Sequence, residues 1–180
     1  MARSALIALW VLVFVPACAQ LTGPTPKALR FDDVMEDGDA RRRASMRLIA
    51  RGLEADAAGA NREAMASYER ALTVDPANPH AYLAVARAEA TDGDPERALS
   101  FLDKAEALYE VEPGGETARA HVAGLRGVAL QARGDAADAD VYLETARELA
   151  PLEWGDGQLD ARELVDLHAA LLARRGAGAR

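Results

Sequence analysis

The sequence predicts an all-α protein, an α-solenoid of about three helical hairpins closed by a C-terminal helix. Three observations carry this reading. Gly59, Ala64, Tyr68 and Ala71 recur as Gly93, Ala98, Leu102 and Ala105, each 34 residues on, and again as Gly134, Ala139, Leu143 and Ala146 after a further 41. Ala, Leu, Glu and Arg are abundant while aromatic residues make up only 5% of the chain, a balance that favours helices over strands. Finally, Gly, Asn, Asp and Pro stand where one helical pattern stops and the next begins.

At the amino terminus, Arg3 is the single charge before the apolar run Ala5 to Val15, which Pro16 interrupts. A spanning helix needs roughly 20 apolar residues, so residues 1–17 read as an export signal, with cleavage favoured over an uncleaved anchor. Two cleavage sites compete. Ala17-Cys18-Ala19 is a small-x-small pattern permitting ordinary removal before Gln20, whereas VPAC resembles the lipobox of bacterial lipoproteins, cut before Cys18. In the second case Cys18, the only cysteine of the chain, carries the lipid, and several acyl chains give the stable attachment that one cannot. Residues 18–38 contain Gly23, Pro24 and Pro26 and then an acidic stretch, and read as a tether with a coil reach of roughly 20 to 30 Å.

The first repeat occupies 39–78 with an extended first helix, the second 79–112, and the third 113–151 after the insertion Pro113 to Arg119. Gly59, Gly93 and Gly134 are suited to ending a helix with positive φ. Asn61, Asp94 and Asp135 are placed to cap the next helix, with Pro95 at the first helical position and Asn78-Pro79 doing likewise for another start. Small residues at Gly52, Ala86 and Gly127 leave room for Tyr68, Leu102 and Leu143 on the partner helix. Because Glu110 stands where the other repeats have Pro76 and Pro151, the middle outer helix is expected to run longer. Arg41, Arg42 and Arg43 point about 100° apart on a helix and read as a solvated face. Residues 152–180 open a capping helix at Asp160 with the stripe Leu164, Leu167, His168, Leu171 and Leu172, ended by Gly176 and expected to cover the third repeat.

From Ser45 to Pro151 these recurrences resemble the tetratricopeptide-repeat (TPR) family, and their period is the one characteristic of it. The resemblance implies that the first helix of each hairpin lines a concave groove that binds protein segments. The corresponding faces carry Met46, Ile49, Leu53 and Asp56, then His80, Leu83, Arg87 and Thr91, then His121, Leu125, Val128 and Gln131. These side chains either bind a partner or pack the stack. Ile49, Leu53 and Ala84 stand where chaperone-binding members place a lysine and asparagine clamp, so an apolar segment is the expected ligand, with Arg87 and Gln131 fixing its register.

The formal charge of −8 becomes −9 if Arg3 leaves with the signal, since no other charged residue precedes Cys18. An acidic chain is unsuited to nucleic acid or to electrostatic docking on anionic lipid. His80 and His121 fall on neighbouring inner helices, but helix axes roughly 8 to 10 Å apart and the lack of a third ligand argue against a metal there. EWGDGQLD lacks the alternating oxygen ligands of a calcium loop. With no phosphate loop or nucleophile motif, neither a cofactor, a small-molecule substrate nor an enzymatic activity is expected. The sequence therefore points to a lipid-anchored scaffold of the bacterial cell envelope with a protein or peptide partner, or else to a structural subunit of a secretion or pilus assembly. Ala19 follows the cysteine in place of the aspartate that retains many lipoproteins in the inner membrane. By resemblance this favours the outer membrane facing the periplasm; the other cleavage would leave a soluble periplasmic protein.

Overall fold

The computed structural model describes residues 28–31, 33–112 and 115–164, and among them all regular structure is helical. The helices are α1 (Ala40–Ala57), α2 (Asn61–Val74), α3 (Pro79–Asp92), α4 (Pro95–Tyr109), α5 (Arg119–Arg133), α6 (Ala136–Leu149) and the single turn α7 (Ala161–Leu164), with a 3-10 turn at Gly115–Ala118. They form three antiparallel hairpins, α1 with α2, α3 with α4 and α5 with α6. Successive hairpins pack through α2 on α3 and α4 on α5, while α1, α3 and α5 adjoin one another as the inner row. This is a TPR-like α-solenoid. The signal, Cys18, most of the tether and the stripe Leu167 to Leu172 lie outside the described residues. Among the described residues no helix is long and apolar enough to cross a membrane.

The first and third hairpins are each locked by one large residue in a slot left by a small one. A Cβ on Gly52 would run into the Tyr68 ring, and one on Gly127 would lie 2.7 Å from Leu143 Cγ. Tyr68 is fully buried and its hydroxyl donates to Asp56 Oδ2 at 3.1 Å, so the ring fills the slot without orphaning its polar end. Between hairpins, buried Asn78 caps α3 by accepting from the His80 amide at 3.1 Å and donates to Ser45 Oγ at 2.9 Å, which in turn donates to the Ala71 carbonyl. One polar chain thereby ties α1, α2 and α3 together with each member satisfied.

Several local expectations are corrected. Gly59 and Gly134 adopt positive φ, 75° and 102°, but Gly93 has φ −123°. Asp94 caps α4 through the Glu96 and Arg97 amides. Asn61, by contrast, is already inside α2 and its side chain donates to Asp92, while Asp135 takes Arg133 as its partner and leaves its own helix uncapped. The middle outer helix does run longer, but only by one residue, ending at Tyr109 where the chain turns into the insertion and a Cβ on Gly115 would collide with the Tyr109 carbonyl. Arg42 is not solvated. Its guanidinium reaches Asp75 Oδ2 at 2.7 Å, Glu112 Oε1 at 2.5 Å and the Ala77 carbonyl at 3.0 Å, which joins α1 to the ends of two outer helices.

The largest departure concerns the chain on either side of the repeats. The segment after α6 crosses back so that α7 packs on α1 at the far end of the stack, instead of closing over the third repeat. Ala28 to Phe31, expected as tether, joins the core.

Candidate functional site

The concave face is built from the inner helices, and the structure places seven of its nine predicted contact residues inside the molecule. Met46, Ile49, Leu53, Leu83 and His121 are fully buried, and His80 and Arg87 are each 4% exposed. Leu125 is buried as well, Val128 is half-buried and Gln131 is exposed. The expectation of a groove lined by the first seven is therefore corrected. Apolar faces of inner helices attract cover, and here the cover comes from the same chain.

Two segments supply it. Leu29 and Phe31 enter from before α1, and Trp154, Leu159 and Leu164 from after α6; all five are buried in the same cluster as the predicted groove residues. They meet each other where the Phe31 amide donates to the Leu164 carbonyl at 2.7 Å. Trp154 lies on Gly124, whose Cβ would overlap the indole ring. At that repeat position α1 has Ile49 and α3 has Leu83, 75 and 41 residues before Gly124. The third repeat thus lacks the large side chain of the other two, and a tryptophan from outside the repeats fills the gap.

His121 joins the two segments. The indole Nε1–H of Trp154 donates to His121 Nδ1 at 3.1 Å, and His121 Nε2 bonds the Leu29 carbonyl at 2.8 Å. An indole can only donate and a carbonyl can only accept, so the neutral ring carries its proton on Nε2. His80 Nδ1 lies 2.8 Å from the Tyr109 hydroxyl, and its ring meets Phe31 and Tyr109 edge-on, each at a centroid distance of 5.3 Å. The two histidines are therefore packing and hydrogen-bonding residues, each held by its own partners.

Burial, helped by the Arg42 charge, pushes the His80 pKa down to about 3, and burial also lowers that of His121 despite its carbonyl partner. In the unfolded chain both titrate near 6.5. Below that pH the unfolded state takes up protons that the folded state refuses, so stability is complete above about 6.5 and falls with acidification, for His80 down to about 3. His80 alone is expected to remove about 2 kcal/mol between pH 7 and pH 5. Urea midpoints across this range check it, and His80→Phe should flatten the slope.

Arg87 forms an ion pair with Asp56, buried on the arginine side, and its Nε is the one buried side-chain polar atom without a hydrogen-bond partner among the described residues. Held in this way it cannot reach out to set a ligand's register. What stays open is a cavity of about 720 Å³ beside it, over the C-terminal halves of α3 and α5. Thr91, Val128, Gln131 and Arg147 line it, together with the loop Asp156 to Asp160.

The fold defines the class, a TPR-like helical solenoid, and repeats of this kind are typically non-catalytic protein–protein interaction modules. Residues 57–121, from the end of α1 through the hairpin α3–α4 to the start of α5, match the family model for the tetratricopeptide repeat. No curated protein and no solved structure matches the chain.

Leu29, Phe31 and Trp154 escape a reading based on the repeats because they lie outside the period. Gly124 was the available signal, a small residue where the other two copies are large.

Proposed function

We propose that the protein is a lipid-anchored adaptor of the bacterial cell envelope, held at Cys18 on the outer membrane and facing the periplasm, that receives a partner's protein segment on its concave face. The observation carrying this reading is the open cavity at Val128 and Gln131, the part of the inner row left uncovered by the chain itself. It offers apolar wall from Leu125, Val128 and Leu143 beside polar groups on its rim, the mixture that fixes a bound segment in place. Since Ala28 is docked on the stack, only nine residues, 19–27, separate the anchor from the folded part, and the ten Cα-to-Cα steps span at most about 36 Å. The scaffold would therefore work close to the membrane surface.

Two arms of one experiment test this in cells. A photocrosslinking residue in place of Gln131 should yield a discrete adduct with another protein, whereas the same residue in place of Ser100 on outer helix α4 should not; the reverse pattern would put the working surface on the convex side. Cys18→Ala should abolish incorporation of labelled fatty acid and shift the protein to the soluble fraction. A mature wild-type chain beginning at Gln20 would refute the anchor and leave the binding face to be judged by the crosslink.

A further inference from the structure

Ala28 to Phe31 sits on the N-terminal turns of α3 and α5 in the manner of a bound peptide. The Leu29 amide donates to the Thr117 carbonyl at 3.0 Å, and the Leu29 carbonyl accepts from His121 Nε2 at 2.8 Å. The Phe31 amide donates to Leu164, and its ring stands edge-on against His80. The two side chains are 5% and 1% exposed. None of these partners lies in the hairpin that follows the segment: Thr117 belongs to the insertion, His121 to α5 and Leu164 to α7. Main-chain bonds with apolar side chains in pockets are how grooves hold peptides. The Pro113 to Arg119 insertion, which the other repeats lack, supplies the edge to which the backbone bonds.

We propose that this end of the concave face is a peptide-binding site occupied in cis by the chain's own Leu29-Arg30-Phe31, and that its external ligand is a partner segment of the pattern leucine-x-aromatic that exchanges with it. A cavity of about 280 Å³, bordered by Leu29, Val34, Arg42, Glu112 and Thr117, leaves one flank of the docked segment open to an incoming chain. Exchange releases the residues that precede α1, so that ligand binding and lengthening of the tether are one event. The site is separate from the cavity at Val128 and Gln131, so either can fail without the other.

The probe is an acetylated, amidated octapeptide with the sequence of residues 26–33, PKALRFDD, titrated calorimetrically into the full chain and into its Leu29→Ala/Phe31→Ala variant. In the wild type the tethered copy competes at an effective concentration on the order of millimolar. The peptide should bind the variant at least about tenfold more tightly than the wild type, and a peptide with both apolar residues changed to alanine should bind neither. Equal binding to both chains, no binding to a variant of intact helicity, or loss of helicity in the variant would overturn the proposal, the last because the segment would then be core. The wild-type chain provides a second test. The Leu29 and Phe31 amides should exchange hydrogen at least about tenfold faster than those of Leu83 and Leu125, since release of the segment leaves the stack standing; exchange in step with those core amides would contradict it.

Discussion

Replacing Trp154 by alanine should lower the stability of the whole domain by about 3 to 5 kcal/mol, the range for removing a large buried aromatic. Among the described residues Trp154 is the largest of the fully buried side chains and its indole supplies the only bond to His121 Nδ1, and it stands in the slot over Gly124. Truncation would empty the slot, leave a buried imidazole acceptor unpaired and free the segment that carries α7 to α1. A second change separates packing from the rest. Gly124→Leu alone should also destabilise, because the added side chain occupies the space of the indole. In the Trp154→Ala background the same leucine should recover part of the loss, since it restores the residue type that Ile49 and Leu83 provide at this position in the other repeats. Denaturant midpoints of the four chains measure the coupling. A loss below about 1 kcal/mol on Trp154→Ala would mean that the C-terminal crossing does not hold the stack together.

Arg87→Glu should unfold the protein, where an exposed groove residue would have cost only partner binding. Arg87 is 4% exposed and paired with Asp56, which also accepts from Tyr68. Removing one partner of a buried pair costs about 3 to 5 kcal/mol, and setting a second carboxylate against Asp56 should exceed the lower figure. Replacing both residues together, with Arg87→Met and Asp56→Leu, should be milder than either single change, because no charge is then left without its partner. Thermal unfolding followed by circular dichroism would read these effects. Wild-type stability in Arg87→Glu would show the side chain free on the surface.

The repeats were legible because their logic is local and periodic. A glycine or alanine on one helix and a large residue on its partner recur at fixed spacing, and Gly52 with Tyr68 and Gly127 with Leu143 meet as that spacing implies. The caps at Asn78-Pro79 and Asp94-Pro95 were legible for the same reason, since a cap contacts amides two or three residues away. The concave face was harder to read. Whether Ile49 or Leu83 meets a ligand or the chain itself depends on contacts with Leu29, Phe31 and Trp154, which lie far from them in sequence and belong to no repeat. Arg42 was misread on similar grounds: helix geometry separates it from its two neighbours, but its partners Asp75 and Glu112 lie 33 and 70 residues away.

The central claim is that the inner face of the solenoid is covered by the chain segments that flank it. One nuclear Overhauser spectrum of the full chain at neutral pH tests it most directly. It should show contacts between the ring protons of Phe31 and His80, whose centroids lie 5.3 Å apart, and a slowly exchanging Trp154 indole proton close to His121. A folded, helical chain in which Phe31 shows no contact with His80 and the Trp154 indole proton exchanges at the rate of free solvent would contradict the account and return the groove to an open state.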